Sequence, residues 1–246
     1  MSNATLIKMK GSWEATREQV NAIEVPARTW SYTPIPHERV IDLLERKIPL
    51  FGMKIEATRL ALNTEGKKMF GVMEVTNGTG ADDWRFALGF RNSYDKSLKL
   101  SVTAGSKVMV CDNLSFNGEI STHHKHNGRV DLFIDSYVDR LLRGFVEKKR
   151  GIEEFITGMK KRDLTDQQAY HFIIRAMRNK VIPTSHVEKV VEQWHEPKHE
   201  EFRERTQWSL YNGFTEVAKT RSAEIQMDST LGLTTLVRQW NEEMGS

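Results

Sequence analysis

The chain predicts an α+β fold: a mostly antiparallel sheet of about five strands (roughly residues 53–122), flanked by N-terminal helices and a helical C-terminal half. Three observations lead there. Apolar residues recur at helical spacing before Pro49, alternate with period two through the middle third, and return to helical spacing after Gly128. Turn signals such as Asn77-Gly78-Thr79-Gly80 punctuate the middle third. The connections between the later helices are short, which favours one unit over residues 1–246, made of a helical segment 1–50, a sheet region 52–130 and a helical region 131–246.

Trp13–Glu24 is expected to form a short helix, with Ser12 as N-cap and Ala15 and Val20 among its apolar positions. A proline-bearing loop from Val25-Pro26 to Pro34-Ile35-Pro36 follows. His37–Lys47 reads as an amphipathic helix, with Val40, Ile41, Leu43, Leu44 and Ile48 on its buried stripe and Pro49 as its stop. Lys54–Leu60 and Lys68–Val75 read as strands, and so does Trp84–Phe90, where Trp84, Phe86, Leu88 and Phe90 alternate with Arg85, Ala87 and Gly89. Leu98–Thr103 and Lys107–Cys111 read as a hairpin turning at Ala104-Gly105-Ser106. After Asp131, read as its N-cap, a long helix places Ile134, Tyr137, Val138, Leu141, Leu142, Phe145, Ile152, Phe155, Ile156 and Met159 on one face. Gly144, Gly151 and Gly158 weaken it, so a kink or break is expected. Thr165-Asp166-Gln167-Gln168 and Ser185-His186-Val187-Glu188 fit capping boxes that open two further helices. Glu200–Arg221 and Leu231–Glu243 are the last two helical segments.

Composition narrows the function classes. No apolar run approaches the roughly 18 residues of a membrane span. A single cysteine excludes an intrachain disulfide and a cysteine-rich zinc site. Met1–Lys10 has neither an apolar core nor a cleavage pattern, so no secretion signal is read and a cytoplasmic location is expected. The net charge of +3 is unevenly spread: residues 1–130 carry 18 Lys and Arg against 14 Asp and Glu, and residues 85–130 carry 7 against 3. That excess falls on Arg85, Arg91, Lys96, Lys99, Lys107, Lys125 and Arg129, which with Asn92 are the expected nucleic-acid contacts.

The residues that bear chemistry cluster in the same stretch. Arg91, Lys96 and Lys99 are suited to phosphate, with Asp95 orienting one of them, while the plainer reading makes Asn92, Ser93 and Asp95 a side-chain-capped turn. Cys111 beside Asp112 and Asn113, with His123, His124 and His126 downstream, invites a nucleophile-and-base or metal reading. Against it, a cysteine that ends an apolar strand is more often a small buried hydrophobe, and no His-Glu-x-x-His or Cys-x-x-Cys is present. Ser93, Tyr94, Asp95, Cys111, Asn113, His124 and His126 are kept as one candidate polar cluster, with no catalytic residue and no metal ligand assigned. Neither Gly-x-Gly-x-x-Gly nor a phosphate-binding Gly-x-x-x-x-Gly-Lys-Ser/Thr occurs, so no nucleotide cofactor is expected. Lys148-Lys149-Arg150 and Lys160-Lys161-Arg162 suit tracking a phosphate backbone, while the plainer reading, with Glu147, Glu153 and Glu154 interspersed, is a solvated, salt-bridged helix face. Trp30 and Tyr32, in the proline-bearing loop, suit base stacking or partner docking, unless the loop folds over the sheet and buries them.

Four patches carry a family resemblance. Phe90-Arg91-Asn92-Ser93-Tyr94-Asp95-Lys96-Ser97, Val108-Met109-Val110-Cys111-Asp112-Asn113, the His123-His124-Lys125-His126 cluster and Thr206–Glu216 resemble, in that order, segments of the phage/plasmid-like family called domain of unknown function 932. Tyr94 stands where that family has histidine and Lys96 where it has glycine; a phenol with a pKa near ~10 is a poor base at neutral pH. The resemblance implies a phage or other mobile-element setting and no defined chemistry. The expected function is therefore an accessory protein that binds DNA or RNA. The alternatives are a module acting on a host protein or self-assembling through the C-terminal helices, and a Cys/His or metal-dependent hydrolase.

Overall fold

The computed structural model describes residues 12–76, 84–108, 114–126, 130–219, 221 and 223–245. Six strands make one antiparallel sheet in chain order: β1 (Ser12–Ala15), β2 (Lys54–Asn63), β3 (Lys68–Thr76), β4 (Trp84–Ser93), β5 (Leu100–Val108) and β6 (Leu114–His124). The described helices are α1 (Arg17–Asn21), α2 (His37–Lys47), α3 (Val130–Lys160), α4 (Asp166–Arg178), α5 (Val187–His195), α6 (Gln207–Ala218) and α7 (Ala223–Gly245). The α+β class and the helical second half are as expected. The central strands number five, and the short β1 adds a sixth.

The register sorts the side chains into two faces. Phe90 pairs with Gly71 and Val102, Leu88 with Met73 and Ala104, and Phe86 with Val75, which gathers the apolar alternation of β4 on one face. That face joins Val40, Ile41 and Leu44 of α2 and Leu142 and Phe145 of α3 in one core, which continues into α4, α6 and α7. Phe145 meets Phe86 edge-on, with ring centroids 5.2 Å apart. In the helical half, Phe172 of α4 stacks on Trp240 of α7 at 4.6 Å and meets Phe214 of α6 edge-on at 5.7 Å. The other face of β4 carries Arg85, Ala87, Gly89 and Arg91, and α7 runs along β6.

Several local expectations are corrected. Residues 13–24 are not one helix: Ser12–Ala15 pairs with β2, and Thr16, not Ser12, caps α1 through a reciprocal capping box with Gln19. No hairpin turns at residues 104–106. Instead β5 runs through them, Ala104 and Gly105 opposing Leu88 and Ala87, and a bulge at Thr103/Gly105 absorbs the irregularity on the β6 side. α3 is unbroken; its three glycines have open space where a Cβ would sit, so each is a cost in propensity on an outward position. It also begins at Val130, which puts Asp131 inside its first turn. Thr165 caps α4 as expected, through Gln168, but residues 184–186 form a 3-10 turn and no side chain caps α5. The segment 200–221 is a 3-10 turn followed by α6, whose N-cap is Thr206, and the last helix starts eight residues earlier than Leu231, at Ala223.

Gly71 shows how tight the sheet–helix layer is. A Cβ there would lie 2.1 Å from Cζ of the Phe90 ring, which is itself completely buried and covers the glycine from the neighbouring strand. Gly71→Ala is expected to destabilise the chain by about 1–3 kcal/mol through overpacking. Denaturant unfolding checks this, and a midpoint equal to the parent's would contradict it.

Candidate functional site

Strand β4 delivers a polar residue to the apolar face. Asn92 follows Phe90 by two and is fully buried, so its amide must find partners inside the protein. Its Nδ2 donates to the Ile35 carbonyl at 2.7 Å and to Nδ1 of His37 at 2.9 Å. Its Oδ1 accepts from Nε2 of His126 at 2.6 Å. These roles fix both tautomers: His37 accepts on Nδ1 and donates from Nε2 to the Gly66 carbonyl at 3.2 Å, and His126 carries its proton on Nε2. Burial holds the His37 imidazolium pKa down to about 4 and lowers that of His126, so both rings are neutral near pH 7.

Tyr94 stacks on His37 with centroids 3.9 Å apart and accepts the His37 backbone N–H at 2.8 Å. Burial pushes its phenol up to about 12, which removes it further from base chemistry. Tyr32 reaches back to donate its hydroxyl to the Tyr94 carbonyl at 3.0 Å, and Thr33 N–H donates to the His126 carbonyl at 3.2 Å. Loop 22–36 is thereby tied to the end of β4 and to the segment after β6.

The loop turns at Thr29–Tyr32, whose backbones pair with each other, and Trp30 stands at the tip 98% exposed. The expectation for the two aromatics therefore splits: Tyr32 is buried and forms the support, and Trp30 is presented. Lys96, at φ 64 in the turn after β4, places its Nζ 4.8 Å from the Tyr32 ring centroid. That turn is closed by its own side chains, with Asp95 Oδ1 accepting from Ser97 N at 3.0 Å and from Ser97 Oγ at 2.5 Å. Asp95 also lies 3.7 Å from Lys68. Lys99 and Lys125 are exposed and flank the Leu100–His124 pair of β5 and β6; the His126 ring lies 5.8 Å from that of Tyr32. Arg28, also exposed, stands two residues before Trp30 and was not singled out from the sequence.

The other candidates are dispersed. Arg85 is exposed and opposes Lys107 at the far end of β4, six residues or roughly 20 Å along the strand from Arg91. Arg91 is 9% exposed, and Asn92 has no surface with which to meet a nucleic acid. Ser93, Tyr94 and His126 are buried in structural roles. His124 sits on β6 opposite Leu100. Cys111, Asn113 and Arg129 lie outside the described residues. Of the two basic clusters, Arg150 of α3 pairs with Glu154 at 2.9 Å, as on a solvated, salt-bridged face, whereas the second departs from that expectation: Lys160 lies over the ring of the buried Trp208, and Arg162, beyond the end of α3, donates to Asn241 Oδ1 at 2.8 Å. Among the described residues, no group of three or more His, Cys, Asp or Glu is placed to hold a metal, and no helix is long and apolar enough to cross a membrane.

Residues 26–237 match the family described as Domain of unknown function (DUF932), and the chain belongs to that family. No curated protein and no solved structure matches it.

Two outcomes follow from the buried polar knot. Asn92→Ala strands the Ile35 carbonyl and both histidines and is expected to cost about 3 kcal/mol or more, read from the denaturant midpoint. The folded state takes up the His37 proton only near pH 4, whereas the unfolded chain takes it up near 6.5, so the unfolded state binds more protons between those values. Stability is therefore full above the unfolded value and falls as pH drops through this window, by about 3 kcal/mol once complete, with His126 acting in the same direction. Urea midpoints at about pH 7 and about pH 5 check it; equal midpoints would show that His37 takes up its proton in the fold as readily as in the unfolded chain, contrary to the buried neutral ring.

Proposed function

We propose that the chain is a nucleic-acid-binding accessory protein of a phage or other mobile element, and that it grips single strands through Trp30 and the lysines beside it. The observation that carries this reading is Trp30, 98% exposed on a turn whose base is pinned by Tyr32, with Lys96 resting on that same ring. An exposed aromatic ring on an anchored turn offers an unpaired base a stacking platform, and stacking contributes about 1–3 kcal/mol per base. Lys96 on the Tyr32 ring and Arg28 on the same loop supply exposed positive charge for phosphates, and the exposed Lys99 and Lys125 by the Leu100–His124 pair add to it. Duplex DNA keeps its bases stacked inside, so it meets only the cationic part of this surface.

Docking to a host protein or to a second copy is the second reading. Val25, 40% exposed on the same loop as Trp30, favours it by enlarging the apolar surface.

Fluorescence anisotropy with labelled single- and double-stranded oligonucleotides, at about 50 and 200 mM salt, tests the proposal. The expected result is salt-sensitive binding with a preference for single strands, weakened roughly ten-fold or more by Trp30→Ala. Lys96→Ala and Lys125→Ala are expected to flatten the salt dependence. Absence of binding at low salt, with a self-associated mass in light scattering that Trp30→Ala reduces to the monomer, would replace this reading with the second.

A further inference from the structure

The opposite face of β4 holds a buried charge whose donors are not used. Arg91 is flanked on that face by Phe70 of β3 and Ser101 of β5, and its side chain is 10% exposed. Its Nε and Nη1 are buried and make no hydrogen bond, which leaves three of the five N–H groups of a permanently charged guanidinium unmet. Among the described residues the nearest anion is Asp228 of α7, with Oδ1 at 3.6 Å from Nη1, too far for a hydrogen bond. The Asp228 side chain is 60% exposed, so the fold does not pin it against the arginine. Glu74, the other buried charge of this face, stands two residue pairs away, about 13 Å along the strand, and has interactions of its own. Gly89, next to Arg91 on the same face, puts no side chain beside it. Buried charges are ordinarily paired and hydrogen-bonded, and unmet donors on an ion are expensive.

We propose that Arg91 is the centre of an anion site that takes a phosphate group, with Asp228 as an internal counter-ion which the ligand displaces. A phosphate oxygen has the charge to neutralise the guanidinium and the lone pairs to accept from Nε and Nη1, which Asp228 at its present distance does not do. Ser101, completely buried on the adjoining strand, is the neighbouring polar residue of the same cross-strand row. The site rests on different atoms from the Trp30 surface and stands independently of it. The phosphate belongs either to a nucleic-acid backbone or to a small phosphorylated molecule, and the two share this chemistry.

The test uses the full chain and inorganic phosphate, with chloride at equal ionic strength as the control, read by thermal unfolding and titration calorimetry. Phosphate is expected to raise the unfolding temperature saturably where chloride does not. Asp228→Asn, which removes the competing anion, is expected to bind phosphate about five-fold more tightly, the equivalent of an exposed ion pair of ~1 kcal/mol. Glu147→Gln, an equal loss of charge on the outer side of α3, is expected to leave the affinity unchanged. Arg91→Met is expected to abolish binding. Phosphate and chloride acting alike on both the parent and Asp228→Asn would overturn the proposal, and that comparison holds even where Arg91→Met does not fold. Given phosphate binding, an oligonucleotide that competes for the site identifies a backbone phosphate as the source, and one that does not identifies a small phosphorylated molecule.

Discussion

The fold's layout at the candidate site depends on one buried side-chain amide. Asn92 ties β4 to the Ile35 carbonyl, to His37 at the start of α2, and to His126 beyond β6, and it uses both ends of its amide to do so. In water these groups would be solvated at no cost. Inside the protein each is worth keeping only while the others are in place, so the knot is made whole or not at all. Its neutral histidines extend that condition to proton concentration. Because Tyr32 hangs from the carbonyls at the end of the same strand, the position of Trp30 follows from the knot as well.

What was legible in the sequence was what local periodicity controls. The alternation from Trp84 to Phe90 defines β4, the stripe on His37–Lys47 defines α2 to the residue, and Thr165 and Gln168 form the capping box their spacing announces. What failed had its cause outside the local window. Ala104-Gly105-Ser106 has turn composition, yet these small residues serve as cross-strand partners and as a bulge within β5. Ser12–Ala15 is too short to show a period and becomes a strand only because residues 60–63 of β2 lie alongside. The same limit applies to the site. The stretch around Asn92 was readable as a turn with polar residues, but its partners lie 55 and 57 residues upstream and 34 downstream, and no spacing rule connects them.

The cations divide by strand geometry in a way that composition conceals. Arg85 and Arg91 share a face of β4 yet lie near opposite ends of it, one exposed and one enclosed, while Lys96 rests on Tyr32 of the loop that carries Trp30 and Lys99 and Lys125 are exposed beside the Leu100–His124 pair. A charge count over residues 85–130 adds all of these together, although they belong to three different environments. On the proposed readings each environment has a different partner: solvent for Arg85, phosphates beside a stacked base for the lysines, and an enclosed anion for Arg91.

The shortness of β1 has a further effect at the margin of the sheet. It covers β2 only from Leu60 to Asn63, so the first half of β2, from Lys54 to Arg59, has a strand partner on one side alone among the described residues. That open margin carries Lys54, Glu56 and Arg59 and is bent by a bulge between Ile55 and Ala57. Charged, kinked borders make poor templates for a foreign chain to add onto, so this stretch of β2 is protected against fibrous stacking by its own sequence.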